Sequence, residues 1–133
     1  MKPKLAIITL GVADMIVAKK FYEQGMGLVP EKESCDSITF YDMNGVWLSL
    51  YPKDKLAEDA NISTEGNGFS GVTIAHNEPS KKEVRKVIEQ ARSAGGRIIK
   101  EPQDTFWGGY SGYFEDPDGH LWEIAYNPFV DLT

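Results

Sequence analysis

The chain has one cysteine, two histidines and no long apolar run among its 133 residues. Because Cys35 is alone, no intramolecular disulfide can form, and a reducing cytoplasm is the expected location. No stretch approaches the roughly 20 apolar residues of a membrane span, so no transmembrane helix is predicted. The apolar opening at 5–12 is interpreted as a strand and not as a signal peptide, because Asp14 interrupts it.

Basic residues are also scarce. Lys and Arg number 14 against 20 Asp and Glu, which gives a net charge of −6. Nucleic-acid binders and proteins drawn to anionic membranes present clustered basic side chains, so neither partner is predicted. The basic residues at 81–86 lie on one predicted helix, where we interpret them as a solvated face. The expected partner is a small molecule.

One order of elements occurs twice along the chain. The first copy is predicted to have a strand at 5–12, a helix capped by Asp14 and three strands, at 28–31 and in the two halves of 37–52. Asn44-Gly45 between the last two strands is a strong hairpin signal, because both turn positions need a positive φ. The polar segment 53–68, with one possible helical turn, is interpreted as a linker.

The second copy begins with a strand at 70–76. A helix follows, in which Ser80 and Glu83 form a capping box and Gly95-Gly96 mark the end. Three strands complete the copy, at 97–100, 110–115 and 120–126. The sequence therefore predicts one α+β domain of two tandem βαβββ modules, 1–52 and 69–133, whose cupped mixed sheet carries its helices on the outer face.

Hairpin register predicts which side chains share a face. A two-residue turn at 44–45 sets Phe40 opposite Ser49. A three-residue loop at 117–119 sets Tyr113 opposite Glu123. A face so rich in aromatic residues is typical of a lined cavity. The predicted ligand-binding residues are Phe40, Trp47, Ser49, Tyr51, Trp107, Tyr110, Tyr113 and Glu123.

The segment 104–114 places large flat side chains around Gly108-Gly109. Phe106, Trp107 and Tyr110 suit stacking on a planar or apolar ligand and closing over it. The alternative is a hydrophobic plug that only caps one end of the fold, since aromatic residues are frequent in ordinary cores. The sequence leaves both interpretations open.

Two segments resemble the vicinal oxygen chelate superfamily, which includes glyoxalases, bleomycin resistance proteins and extradiol dioxygenases. They are ITLGVADMIVAKKFYEQGMGL at 8–28 and DTFWGGYSGYFEDPDGHLWEIAYNP at 104–128. With the repeated element order, the likeness extends over nearly the whole chain except the linker. It implies two modules around one active site, and a homodimer.

Metal-dependent members of that superfamily bind their ion through four side chains, one from the first and one from the last strand of each module. Carried over by motif, these positions are Ile7, Ser49, Gly71 (or Val72 after a slip of one residue) and Glu123. Because a divalent ion needs several N, O or S donors, the resemblance implies no bound metal here, with a divalent ion as the less favoured alternative. Neither His76 nor His120 is expected to share the face of Glu123.

Glu123 has three interpretations: a general acid or base, a polar anchor for a ligand, or a carboxylate satisfied by Tyr113 or by backbone N–H groups. Two function classes follow. One is a metal-free protein that binds a small organic molecule in the aromatic cup. The other is an enzyme related to glyoxalase lyases, in which Glu123 moves a proton or binds a metal.

Overall fold

The computed structural model describes residues 1, 3, 6–61, 63–66, 68–70 and 72–133. The chain divides into two compact units, Met1–Gly68 (unit one) and Phe69–Thr133 (unit two). Each unit has a sheet with one parallel strand pair, accompanied by one antiparallel pair in unit one and two in unit two. The predicted α+β class with mixed sheets is therefore confirmed.

Unit one has a three-stranded sheet in the order β1-β3-β2. Strand β1 is parallel to β3, and β2 is antiparallel to β3. Its elements are β1 (Ile7–Val12), α1 (Met15–Lys19), a π-helical segment (Lys20–Gly25), β2 (Thr39–Asp42), β3 (Trp47–Pro52) and α2 (Lys53–Ala60).

The first helix begins as predicted. Asp14 Oδ1 accepts hydrogen bonds from the N–H groups of Ile16 at 2.8 Å and Val17 at 3.1 Å. Its second half widens into a π-helix, in which the N–H of Met26 donates to the carbonyl of Phe21 at 2.8 Å. Phe21 and its neighbour Tyr22 are both buried there. The sequence pattern carries no marker of this wider turn.

The predicted strand at 28–31 is wrong. The segment makes one backbone contact with β2, where the N–H of Glu31 donates to the carbonyl of Phe40 at 2.8 Å. A single bridge between Cys35 and Ile38 follows. Pro30 has no N–H to give to a ladder, which explains why strand pairing does not extend along this segment.

The predicted register of the first hairpin is confirmed. Phe40 pairs with Ser49 and Tyr41 with Leu48, across a turn in which Asn44 has φ 61° and Gly45 φ 109°. One face of the hairpin is buried against the helix side of unit one. Its side chains are Thr39, Tyr41, Leu48 and Leu50.

The first half of the predicted linker forms helix α2 of unit one. Helix α2 is two turns long instead of the one expected, and it packs on β1 and β3. The packing is close, because a Cβ added to Gly11 would lie 3.3 Å from the Cα of Lys53. Asn61 ends the helix in the left-handed conformation, with φ 55°.

Unit two is a complete βαβββ module with strand order β4-β7-β6-β5. Its elements are β4 (Ile74–Asn77), α3 (Lys81–Ser93), β5 (Arg97–Asp104), β6 (Tyr110–Glu115) and β7 (Leu121–Tyr126). Strand β4 begins four residues later than the predicted 70, and Gly71 lies outside the described residues. Helix α3 is as predicted: Ser80 Oγ accepts from the N–H of Glu83 at 3.3 Å, and Gly95 follows with φ 98°.

The second hairpin also has its predicted register, with Tyr113 opposite Glu123 and Phe114 opposite Trp122. The rings of Phe114 and Trp122 are stacked, with centroids 6.3 Å apart. That face of the sheet and the apolar stripe of α3 form the core of unit two. The core side chains are Val84, Ile88, Ala91, Phe114, Trp122 and Ile124.

Among the residues that the structure describes, none of the helices combines the length and the hydrophobicity that crossing a membrane requires.

Candidate functional site

Unit one presents an aromatic face on the side of its sheet opposite the buried hydrophobic layer. Ser49 of β3 lies at its centre, between Thr9 of β1 and Phe40 of β2. The rings of Phe40 and Trp47 are 5.5 Å apart and inclined at 49°. We call this surface the aromatic face of unit one. It consists of Ile7, Thr9, Phe40, Trp47, Ser49 and Tyr51.

Exposure varies across this face. Phe40, Trp47 and Tyr51 are half-buried, so part of each ring stays open to a ligand. Ser49 is completely buried, and its Oγ has no hydrogen-bond partner within the described part of the chain. Leaving a buried hydroxyl unsatisfied costs about 1–3 kcal/mol, so this oxygen marks a place where a partner would stabilise the protein.

Asp42 is a charged residue at the hairpin end of the aromatic face, where it pairs with Trp47. Its Oδ1 accepts from the N–H of Asn44 at 2.9 Å and from that of Gly45 at 3.4 Å. Asp42 is thus engaged in the turn, and its role is to fix the hairpin that carries Phe40 and Trp47.

Glu123 occupies the corresponding position in unit two, on β7 between Ala75 of β4 and Tyr113 of β6. Both Glu123 and Tyr113 are half-buried. Burial raises the pKa of Tyr113, and the charge and hydrogen bonding of Glu123 raise it further. The tyrosine hydroxyl is therefore kept as a proton donor beside the carboxylate. Sequence reasoning identified this pair through the register of the hairpin.

Sequence reasoning missed Lys100, which pairs with Tyr113 from the other side. Strand β5 has irregular register before and after Lys100, so simple alternation along the strand could not have placed it. The exposed ammonium gives this face of unit two a cation to accompany Glu123. An acid, a phenol and an amine thus lie on adjacent strands.

The aromatic loop between β5 and β6, residues 105–109, is held by Thr105. The Thr105 carbonyl accepts a hydrogen bond from the N–H of Gly108 at 3.1 Å, and Thr105 Oγ1 accepts one from the N–H of Gly109 at 2.9 Å. The Trp107 ring lies against Gly109 so closely that an added Cβ would come within 1.9 Å of it. Phe106 points fully into solvent. Trp107 is thus packed on the loop itself, while Phe106 is its free aromatic tip.

Tyr110 lies elsewhere than predicted. It belongs to β6 on the same face as Phe114, which is the face that α3 covers, and not on the face of Tyr113. Arg85 Nη1 donates to its hydroxyl at 3.2 Å, and Lys81 Nζ lies 5.4 Å from its ring centroid. The structure therefore separates Tyr110 from the other predicted ligand-binding residues of unit two.

The metal-ligand positions of the superfamily do not offer a metal site in the described residues. Ile7 and the exposed Val72 have no donor atom, Ser49 offers a neutral hydroxyl, and Gly71 lies outside the described part. Nowhere among the described residues do three His, Cys, Asp or Glu side chains group as a metal site would require. The residues present do not fit the ion that metal-dependent relatives hold.

Both histidines have local roles. His76 Nε2 lies 2.8 Å from Glu78 Oε1 on an exposed strand end. The backbone N–H of His120 donates to Asp116 Oδ1 at 2.9 Å within the hairpin loop. His76 pairs with Ile124, so by register it lies on the face of the sheet opposite to that of Glu123, as predicted.

Cys35 is an exposed thiol whose Sγ lies 3.2 Å from Ser37 Oγ. The hydrogen bond from Ser37 lowers the pKa of this thiol. No group of a nucleophilic triad is in contact with it among the described residues, so the cysteine is not part of the site.

Unit two also contains a groove of about 280 Å³ that the sequence did not indicate. It lies between the β4–α3 turn and the C-terminal segment 126–133. The charged side chains in its lining are already engaged, Glu78 with His76 and Asp131 with Thr133.

The repeated module and the paired hairpins correspond to a known family. The sequence profile of the glyoxalase/bleomycin resistance protein/dioxygenase superfamily matches residues 4–124. The chain belongs to this superfamily. The resemblance predicted from the segments at 8–28 and 104–128 is confirmed.

Solved structures of the superfamily share the fold. A glyoxalase-related enzyme from Fulvimarina pelagi is 35% identical, with a TM-score of 0.90 over 98% of this chain and 93% of that chain. A family enzyme from Burkholderia phytofirmans PsJN is 19% identical, with a TM-score of 0.82 over 92% and 98%. A lactoylglutathione lyase from Agrobacterium tumefaciens is 19% identical, with a TM-score of 0.71 over 96% of both chains. The last two likenesses establish the fold alone.

Proposed function

We propose that this member of the superfamily binds a small organic molecule on the aromatic face of unit one, without a divalent metal. The observation that carries the proposal is the half-buried Phe40–Trp47 pair beside the unsatisfied hydroxyl of Ser49. Ligand sites combine apolar and aromatic walls with a few polar groups, and this face has that composition. The partially open rings provide stacking area at little conformational cost.

The donor set supports the metal-free part of the proposal. A divalent ion in a family-type site requires about three or four N, O or S ligands, whereas Ile7 supplies none and Ser49 a weak one. The ligand is then bound by stacking and hydrogen bonding. The cytoplasmic location and the homodimer remain predictions, and the dimer can be tested by sedimentation of the 14.8 kDa chain.

A thermal-shift screen of small aromatic and heteroaromatic compounds tests the proposal. A compound that binds raises the Tm of the wild-type protein, and Trp47→Ala abolishes that rise because the stacking surface is lost. Phe106→Ala is the matched control, since it removes an aromatic ring that is fully exposed on the loop of unit two. If the rise persists in Trp47→Ala, the ligand does not bind on the aromatic face of unit one.

The same screen with Trp107→Ala examines the aromatic loop. If the Trp107 ring contributes to ligand binding, this substitution weakens binding while Phe106→Ala does not. If it is a plug, neither substitution changes binding.

A second function is favoured by a different observation, the half-buried Tyr113–Glu123 pair. A carboxylate beside a phenol can move a proton, as a lyase of the glyoxalase type would require. Turnover of lactoylglutathione, with and without added divalent metal, tests this alternative. Activity with a bell-shaped pH profile that Glu123→Gln removes would establish the enzyme. Binding of an organic ligand without turnover supports the first proposal.

A further inference from the structure

Two buried hydroxyls in unit one lack hydrogen-bond partners within the described residues, and they lie on opposite sides of one sheet. Thr39 Oγ1 is in the layer that the helices cover, because Thr39 pairs with Leu50. Ser49 Oγ is on the aromatic face, because Ser49 pairs with Phe40. The two therefore provide a natural comparison between a hydroxyl within the hydrophobic layer and one on a ligand-binding surface.

The surroundings of Ser49 in register are aromatic or neutral. Thr9 and Phe40 flank it on the neighbouring strands, and Trp47 and Tyr51 lie two residues away along β3. The oxygen is fully buried, so a ligand reaches it only when a neighbouring side chain moves, and Phe40 and Trp47 are the half-buried groups beside it. Rotation of one ring would expose the Ser49 hydroxyl on a surface whose other hydroxyls belong to the exposed Thr9 and the half-buried Tyr51.

The charged residues around this face limit the charge that a ligand group beside Ser49 can have. None of the six side chains that define the aromatic face is basic. Asp42 lies at its hairpin end, and Lys55 of α2 is close enough to Tyr51, at the other end of β3, to interact with it electrostatically. Neither of the strand neighbours of Ser49, Thr9 and Phe40, is charged. An anionic group placed beside Ser49 would be desolvated without a counter-charge, which is strongly unfavourable. A hydroxyl, in contrast, can both donate to and accept from an uncharged polar group.

We propose that Ser49 is the specificity-determining residue of this surface, and that its hydroxyl hydrogen-bonds to an uncharged hydroxyl, carbonyl or amide group borne by an aromatic ligand. This inference rests on the proposed binding function of the same face. It identifies the ligand class as neutral aromatic molecules with one polar substituent, which are expected to bind more tightly than aromatic carboxylates.

Three probes of similar size test this inference: toluene, benzyl alcohol and benzoate. Binding is followed by ¹H–¹⁵N NMR titration of the full chain, through the resonances of residues 38–51. Because a neutral hydrogen bond contributes a modest net free energy, benzyl alcohol is expected to bind about 3- to 10-fold more tightly than toluene. Benzoate is expected to bind more weakly than either.

Ser49→Ala and Ser49→Cys are expected to abolish the preference, so that benzyl alcohol and toluene bind with about equal affinity. Thr39→Val is the matched control, because it removes the other unsatisfied hydroxyl from the opposite side of the sheet, and the preference should survive it. Ser49→Ala should fold without loss of Tm, since the deleted oxygen has no partner in the described residues.

The possible failures are distinguishable. If none of the probes shifts resonances at 38–51, the proposed binding function of this face is wrong and this inference falls with it. If toluene and benzyl alcohol bind equally, if benzoate binds best, or if Ser49→Ala keeps the preference, binding stands and the role of Ser49 is overturned.

Discussion

The last strands of the two units hold very different side chains at equivalent positions. Ser49 of β3 and Glu123 of β7 each lie between a parallel first strand and an antiparallel hairpin partner. Ser49 is neutral, buried and next to Phe40. Glu123 is acidic, half-buried and next to Tyr113. The backbone repeats, whereas the chemistry at the repeated position does not.

The comparison shows which part of a site the fold determines. Strand pairing determines where the side chain lies and which neighbours it has, and this is the same in both units. The residue type determines what the position can do: Ser49 can recognise a neutral group, and Glu123 can hold or move a proton. Membership of the superfamily therefore does not by itself define the reaction or the ligand.

A second pair of residues sharpens the contrast. Unit one also has a tyrosine–glutamate contact, in which the Tyr41 hydroxyl donates to Glu23 Oε1 at 3.0 Å. Tyr41, however, is buried on the helix side of the sheet, away from the aromatic face. The Tyr41–Glu23 pair stabilises the attachment of the first helix, while the Tyr113–Glu123 pair lies on the face opposite α3.

Exchanging the residue types at positions 49 and 123 should give the largest change in the free energy of unfolding. Ser49→Glu places an unpaired carboxylate at a fully buried site and is expected to destabilise the protein by about 3–5 kcal/mol. Glu123→Ser, at a half-buried site, is expected to change the free energy of unfolding by less than about 1 kcal/mol. Urea unfolding measures both. Equal effects would show that the two positions have the same environment.

Truncation of the residue that follows Ser49 on β3, and of the residue that follows Glu123 on β7, tests whether the cores of the two units contribute equally to stability. Leu50→Ala and Ile124→Ala both empty space in the layer under the helices, and each is expected to lower the free energy of unfolding by about 2–5 kcal/mol. Ile99→Ala, on an exposed part of β5, is the control and should have little effect. A small effect for one core variant alone would indicate that its unit is loosely packed.

The two tyrosines should differ in alkaline solution. Burial, reinforced by Glu23, raises the pKa of Tyr41 above the ordinary value of 10.0, and the pKa of Tyr113 is also raised. Above pH 10 the unfolded chain loses these protons before the folded one does. The stabilisation is therefore complete below pH 10 and declines as pH rises toward the folded-state pKa.

In Tyr41→Phe, the free energy of unfolding should accordingly fall less steeply as the pH rises above 10. At pH 7 the substitution should lower the free energy of unfolding by about 1–2 kcal/mol. Absorbance titration of the phenolates, with Tyr113→Phe as the comparison, assigns each step. If Tyr41 ionises earlier than Tyr113, the assignment of the more buried pair to unit one is contradicted.

The sequence predicted best those features that depend on local turns. Asn44-Gly45 and the loop at 117–119 set both hairpin registers, and through them the pairs Phe40–Ser49 and Tyr113–Glu123. Ser80 and Gly95 likewise gave the bounds of α3. In each case a few residues with strong backbone preferences determine the geometry, so pattern and structure agree.

The remaining features depend on tertiary context. Pro30 interrupts the strand expected at 28–31, and the irregular β5 brings Lys100 opposite Tyr113. Tyr110 begins β6 as predicted, but it was grouped with Trp107 as a ligand-binding residue, whereas its hydroxyl contacts Arg85 of α3. Nor does any sequence signal reveal that Ser49 Oγ is unsatisfied, because that depends on the neighbours on three strands at once.

Metal content decides whether this chain binds an organic ligand without the divalent ion of its metal-dependent relatives. The measurement is elemental analysis of tag-free protein prepared without chelator. Far less than one equivalent of nickel, zinc, iron or manganese per subunit is expected, because Ile7 and Ser49 cannot replace two strong ligands. A content near one equivalent, retained through dialysis, would contradict the claim and turn attention to metal-dependent chemistry at Glu123.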